Sequence, residues 1–234
     1  MPRIIAIVNQ KGGVGKTTTV INVGASLALM GKKVLLVDLD PQGNLSAGLN
    51  VAPELIQEKN AYNALVGQMR LLDTIVETSV ENLFVVPSDS NLAGAEIELV
   101  DVERREFRLK DSLSAELDYF DFIMIDCPPS LGLLTLNALS AATHYLVPLQ
   151  SEFFALQGLT NILRTTELVK KHFNPPLEEE GILLTMFDGR SNLSKQVYQE
   201  MRQFAGDRLF ATVIPRRVRL AESTSFGKPG VVYD

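Results

Sequence analysis

The sequence is poor in the residues that disulfide-bonded and metal-rich proteins require. Its 234 residues contain one cysteine, Cys127, two histidines and no tryptophan. A single cysteine excludes a disulfide framework within the chain and indicates a reducing compartment. One cysteine and two separated histidines also argue against a cysteine-ligated zinc or iron–sulfur site built by one chain.

Long apolar runs are missing as well. No stretch reaches the roughly 18 apolar residues typical of a membrane-spanning helix, and no basic leader precedes the first apolar run. We therefore expect no membrane association, no secretory signal and a cytoplasmic location. Hydrophobic residues make up 46 % and charged residues 21 % of the chain, as in ordinary globular proteins. The length predicts one domain over residues 1–234.

Positive charge is scarce over most of the chain. The 22 Lys and Arg are outnumbered by 28 Asp and Glu, which argues against a protein that coats DNA with its whole surface. The balance reverses near the end, because residues 1–180 carry 14 basic and 23 acidic side chains whereas residues 181–234 carry 8 and 5. Such asymmetry is typical of a localised nucleic-acid contact. Each basic residue taken alone could still be ordinary surface charge.

The strongest functional signal is a glycine-rich stretch near the start. It reads Lys11-Gly12-Gly13-Val14-Gly15-Lys16-Thr17-Thr18, between an apolar run at 4–8 and an amphipathic run that reaches Met30. Strand, glycine loop and helix in this order are typical of phosphate-binding loops. The pattern G-x-x-x-x-G-K-[ST] is met once its first glycine is relaxed. A flexible turn without a ligand is the alternative interpretation.

Each residue type in this loop has a physical reason. The glycines allow backbone N–H groups to point at phosphate oxygens, beside the positive end of the helix that follows. Lys16 is placed to reach the β- and γ-phosphates, and Thr17 to bring a hydroxyl to Mg²⁺. Lys11 is unusual, because it adds a second lysine at the mouth of the loop. The stretch predicts a site for ATP and Mg²⁺.

Two further apolar runs end in aspartate. Residues 34–38 and 122–126 each consist of four apolar residues and a terminal Asp, which predicts buried strands of a parallel sheet. Ligands bind at the carboxyl edge of such sheets. There Asp126 would hold Mg²⁺, through water. Asp40 would polarise the attacking water or act in the magnesium shell, although Asp40-Pro41 could also be a simple turn.

The succession of these elements predicts the α/β class. We expect a three-layer P-loop NTPase fold, with a mostly parallel twisted sheet of about seven to eight strands and helices on both faces. Further apolar runs predict strands at residues 83–87, 144–149, 181–187, 210–214 and 231–233.

Three ordered motifs together resemble one known family. They are residues 11–18, residues 38–44 (Asp38-Leu39-Asp40-Pro41-Gln42-Gly43-Asn44) and residues 126–130 (Asp126-Cys127-Pro128-Pro129-Ser130). In these motifs the chain resembles the ParA/Soj chromosome- and plasmid-partition ATPases of the deviant-Walker class. The likeness runs almost end to end, through residues 150–159, 185–193 and 214–220.

The resemblance implies a nucleotide-dependent switch. ATP with Mg²⁺ would drive a sandwich homodimer in which Lys11 of one subunit reaches the phosphates of the other, with Gly12 at the interface. The dimer would bind double-stranded DNA without sequence preference and associate with the nucleoid. A ParB-type centromere-binding protein would stimulate its weak ATPase activity and release it.

The resemblance also assigns residues to roles. The catalytic residues would be Lys11, Lys16 and Asp40. The nucleotide would contact residues 11–18 and Asp126, with Pro215 and Arg217 beside the adenine. The magnesium ion would be held by Thr17, Asp40 and Asp126. DNA would contact Arg190 and Arg219, which match the DNA-contacting arginines of the family, together with Arg216 and Lys195 of the same basic region.

Three other classes remain as alternatives. A MinD-like membrane-cycling ATPase shares the Lys11 loop but needs an amphipathic membrane helix near the C-terminus, which this sequence does not display. A metabolic enzyme on the same loop could be the nitrogenase iron protein, which needs more cysteines, or a cofactor-synthesis ligase, which needs further catalytic groups. The third class is a nucleotide-free interaction protein, against which the intact Lys16, Asp40 and Asp126 argue.

Overall fold

The architecture is a single mostly parallel sheet, seen in a computed structural model that describes residues 1–113, 115–152 and 154–233. The strands are β1 (Arg3–Ile7), β2 (Val34–Asp38), β3 (Val76–Glu77), β4 (Leu83–Val86), β5 (Phe122–Asp126), β6 (His144–Gln150) and β7 (Glu178–Thr185). Their order is β3-β4-β2-β5-β1-β6-β7. Only the short β3 runs antiparallel, against β4. The predicted fold class is confirmed, with seven strands in the described sheet. Phe153, within the family-like segment 150–159, lies outside the described residues.

Helices cover both faces of this sheet. They are α1 (Lys16–Leu29), α2 (Asn44–Gly48), α3 (Pro53–Glu58), α4 (Ala61–Val66), α5 (Leu92–Glu98), α6 (Arg108–Ser112), α7 (Leu133–Ala141), α8 (Ala155–His172), α9 (Asn192–Ala205) and α10 (Val218–Ser225). Among the described residues, no helix has both the length and the apolar character needed to cross a membrane.

The core consists of two apolar clusters, one on each side of the sheet. Leu35 and Val37 of β2 belong to one cluster and Leu36 belongs to the other, because successive side chains of a strand point to opposite faces. All five residues of β2 are buried. A strand covered on both faces must be apolar throughout, and this explains the unbroken apolar runs of the sequence.

Helix α1 packs directly on the sheet through a glycine. A Cβ atom at Gly24 would lie 2.7 Å from Cδ2 of Leu36, so a larger residue would push α1 away from β2. This close approach fixes the direction in which the N-terminus of α1 meets the sheet edge. The glycine loop occupies that edge.

Two predicted strands are wrong. Residues 210–214 touch β7 only through isolated bridges at Leu209 and Pro215. Phe210 N donates to Ile182 O at 2.9 Å and Ile214 N donates to Leu184 O at 2.8 Å. Four residues on this segment therefore span two on β7, and the surplus bulges out of any ladder.

The second wrong strand is residues 231–233. Val232 N donates to Pro229 O at 3.0 Å, which closes a turn. The Tyr233 ring stacks on Phe226 with centroids 5.4 Å apart. Side-chain packing against α10 replaces strand pairing here.

Candidate nucleotide-binding site

The site residues meet because parallel strands end at one edge of the sheet. β5 lies between β1 and β2, and Asp126 is paired with Ile7 on one side and Asp38 on the other. The loop after β1 is the glycine-rich stretch, and the loop after β2 carries Asp40. Adjacent strands thus place the phosphate loop between two carboxylate-bearing loops.

The glycine-rich loop needs glycine at two of its positions. Gly13 and Gly15 have φ values of 74° and 89°, a region that side chains with a Cβ rarely adopt. Gly15 precedes the first residue of α1, Lys16. The helix therefore begins at the loop and directs its unpaired N–H groups into it.

Lys16 points inward. The residue is only 7 % exposed, and its Nζ donates to the carbonyl oxygens of Asn9 at 3.0 Å and Lys11 at 3.2 Å. Burial lowers the pKa of its ammonium group, and the nearby Asp126 carboxylate opposes that shift. A buried ammonium held only by carbonyls is available to exchange them for phosphate oxygens.

Lys11 points the other way. Its side chain is 51 % exposed and forms an ion pair with Glu152, in the loop after β6. Its backbone N–H donates to Oδ1 of Asn9 at 2.9 Å, so the main chain is anchored while the ammonium stays at the surface. The two lysines of the loop are thus separated into an internal and an external cation.

Asp126 offers an uncompensated carboxylate. It is fully buried, and neither of its oxygens has a partner at hydrogen-bond geometry among the described residues. Burial raises its pKa well above the ordinary value, the Asp38 charge adds to the rise, and the nearby Thr17 hydroxyl offsets part of it. Buried oxygens of this kind are ligands that Mg²⁺ accepts, so the donor set fits the ion.

Asp40 completes the cluster. It is nearly buried, and its Oδ1 accepts a hydrogen bond from Gln42 N at 3.0 Å. Its charge raises the pKa of both Lys16 and Asp126, as expected for groups that share one small volume. The structure therefore brings Lys16, Thr17, Asp40 and Asp126 together.

Three contributors to the site escaped the sequence interpretation. Asn9 ties the loop to β6 by donating to Pro148 O at 2.6 Å. Thr185, at the end of β7, donates to Val14 O at 2.7 Å. Glu152 holds Lys11. A polar residue at the end of an apolar strand was the available signal for Thr185; Glu152 lies 141 positions from Lys11 and gave none.

The basic residues near the end of the chain form a partly connected group. Arg190, Arg216, Arg217 and Pro215 line one pocket. Arg219 lines a neighbouring pocket that shares Arg216 and Arg217. Lys195 lies on α9 and lines neither pocket. Arg190 is paired with Asp188 at 3.2 Å.

Gly43 is expected to be intolerant of substitution. It follows Asp40 in the loop, has φ of 61°, and a Cβ there would lie 2.8 Å from Ser88 O. Gly43→Ala should cost about 1–3 kcal/mol of folding free energy. Thermal unfolding should show this as a lower Tm, by about 2–4 °C for each kcal/mol.

The matched control is Gly158→Ala on α8. No atom lies within 4 Å of a Cβ built there, and alanine is the better helix former. Its Tm should equal or exceed that of the wild type. A Gly43→Ala protein as stable as this control would contradict the predicted clash.

Comparison with known proteins supports the same site. Residues 2–179 match the family model described as AAA domain. The chain is 53 % identical over 234 residues to the sporulation initiation inhibitor protein Soj of Bacillus subtilis, covering 100 % of this chain and 92 % of that protein. It is 51 % identical over 232 residues to the chromosome partitioning protein ParA of Myxococcus xanthus, covering 99 % and 82 %.

Solved structures agree on the fold. A cobyrinic acid a,c-diamide synthase from Mycobacterium smegmatis, with bound ADP and magnesium, has a TM-score of 0.87 and 40 % identity, covering 100 % of this chain and 91 % of that chain. A putative plasmid partition protein from Borrelia burgdorferi, bound to AMPPNP, has a TM-score of 0.85 and 26 % identity, covering 97 % and 91 %. With the glycine loop, the paired aspartates and full-length identity near one half, the chain belongs to the Soj/ParA family of chromosome-partitioning ATPases.

Proposed function

We propose that this protein is an ATP-dependent dimerising switch that binds DNA without sequence preference in its ATP state. The observation that carries the proposal is the separation of the two loop lysines. Lys16 is buried toward its own phosphate site, whereas Lys11 is half exposed beside Glu152. A lysine presented at the surface of the loop suits the phosphates of a second copy of the chain.

Hydrolysis in this proposal depends on charge neutralisation and positioning. Lys16 neutralises charge on the β- and γ-phosphates, and Asp40 orients the attacking water. Mg²⁺, when bound, supplies further charge neutralisation at the phosphate oxygens; Thr17, Asp40 and Asp126 are the residues that would hold it. Lys11 from the second copy acts as an arginine finger does, so hydrolysis depends on dimerisation.

DNA binding in this proposal uses the arginines around α10. Arg217 caps this helix and Arg219 lies in its first turn, which has no acidic residue. Positive side chains at a helix N-terminus oppose the helix dipole and weaken the helix, so stability does not explain them. Anionic phosphates would relieve that repulsion. Contacts to phosphates alone carry no sequence information.

The names of the relatives support the cellular role. Soj and ParA relatives at 53 % and 51 % identity are described as sporulation-inhibitor and chromosome-partitioning proteins. We infer that a ParB-type partner stimulates hydrolysis and releases the protein from nucleoid DNA. Diamide synthesis, the activity in the name of one structural neighbour, has weaker support because that neighbour is 40 % identical.

The proposal predicts that Asp40→Ala separates dimerisation from hydrolysis. The variant keeps Lys11 and Lys16, so it should form an ATP dimer that elutes earlier in size-exclusion chromatography and retains a nonspecific DNA duplex. Its kcat should fall by about a hundredfold or more, because the group that orients water is lost. Turnover is measured as released phosphate.

The same chromatography with ADP is the control. Monomers with ADP and DNA-bound dimers with ATP are the expected pair of results. A protein that stays monomeric with ATP, or that binds DNA equally without nucleotide, would overturn the switch. Undiminished turnover by Asp40→Ala would remove Asp40 from the mechanism.

A further inference from the structure

A buried polar chain surrounds the backbone of Asp40. It starts at Asp38, the last residue of β2, which is fully buried and has no surface role. The Asp38 carboxylate accepts hydrogen bonds from Asp40 N at 3.2 Å and Ser46 N at 3.0 Å. The Ser46 hydroxyl donates to the same carboxylate at 2.7 Å.

Ser46 passes the connection to the neighbouring loop. It lies on α2 and is fully buried. Its hydroxyl uses its one proton on Asp38, so it can only accept from Ser88 N, which lies 2.9 Å away. The direction of both hydrogen bonds is therefore determined.

Ser88 closes the chain on Asp40 itself. It follows β4 and is 2 % exposed, and its hydroxyl donates to Asp40 O at 3.2 Å. The Asp40 N–H is thus bound to Asp38 while the Asp40 carbonyl is bound to Ser88. Both ends of the residue are held by buried groups from two different strands.

We propose that Ser46 and Ser88 are positioning residues for hydrolysis, which hold the Asp40 backbone so that its carboxylate faces the attacking water. This inference rests on the proposed role of Asp40. Neither serine needs to touch ATP, since each acts through the loop. A displacement of the order of 1 Å in a catalytic group can cost about a hundredfold in rate, so modest loosening should be measurable.

The test is single-turnover hydrolysis of ATP with excess protein, together with ATP affinity and Tm. Ser46→Ala should lower the hydrolysis rate about tenfold with ATP affinity unchanged within about twofold. Ser88→Ala, which removes one longer bond, should show a smaller loss of the same kind and serves if Ser46→Ala folds poorly. Thr74→Val is the matched control, because Thr74 is fully buried and donates to Leu71 O at 2.7 Å, away from Asp40.

A double variant distinguishes positioning from general destabilisation. In an Asp40→Ala background, Ser46→Ala should cause no further loss of rate, since its effect acts through the missing carboxylate. An equal loss with and without Asp40, or a loss matched by Thr74→Val at the same drop in Tm, would overturn the inference. If Asp40→Ala itself hydrolyses ATP normally, the proposed function fails instead, so the two failures are separable.

Discussion

Replacing Lys16 with alanine is expected to weaken ATP binding by at least about a hundredfold, equivalent to roughly 2.7 kcal/mol. The Lys16 ammonium is buried among Asn9 O, Lys11 O and the charges of Asp40 and Asp126. Its removal would leave two carboxylates facing the phosphates with no internal cation. Titration with a fluorescent ATP analogue in Mg²⁺ buffer measures the affinity.

Lys11→Ala is the matched control for this experiment. It removes the same charge from the same loop, but its side chain lies at the surface beside Glu152. We expect the Lys11→Ala monomer to bind ATP within a few fold of the wild type and to lose the ATP-dependent dimer. Lys16→Gln, which retains side-chain length, guards against an effect of misfolding. Near-normal affinity in both Lys16 variants would contradict the assigned phosphate site.

Arg219→Glu should abolish retention on nonspecific DNA while leaving the ATP dimer intact. Arg219 lies in the first turn of α10 and lines a pocket with Arg216 and Arg217. Reversal of its charge replaces an attraction to phosphate with a repulsion. Affinity should fall by about tenfold or more, and the slope of log K against log salt should decrease by about 1. Fluorescence anisotropy of a DNA duplex with the ATP-bound Asp40→Ala protein measures both.

The charge-matched control is Arg164→Glu. Arg164 is exposed on α8 and lines a separate surface pocket with Glu167 and Leu168. It changes the net charge by the same amount, so a general electrostatic effect would weaken DNA binding equally in both variants. Equal losses would place the DNA contact elsewhere, and an Arg219→Glu protein that no longer dimerises would show that α10 supports the dimer.

Much of the fold could be predicted because its strands are local patterns. Residues 34–38 and 122–126 are observed as β2 and β5 with the predicted ends, since strands buried on both faces need continuous apolar runs. Residues 210–214 have the same composition but form no strand. Whether an apolar segment pairs depends on the spacing of its partners on β7, which composition does not encode.

The sequence by itself determined the chemistry: a glycine loop with two lysines, two aspartates that end buried strands, and arginines gathered near the end of the chain. These are properties of residue type and neighbouring order. Only the tertiary structure decided that Lys16 is internal and Lys11 external, because that difference depends on Glu152 in another loop. It also decided that Ser88 meets Asp40, 48 positions away. Contacts of this kind arise when parallel strands end at one edge, and no local pattern specifies them.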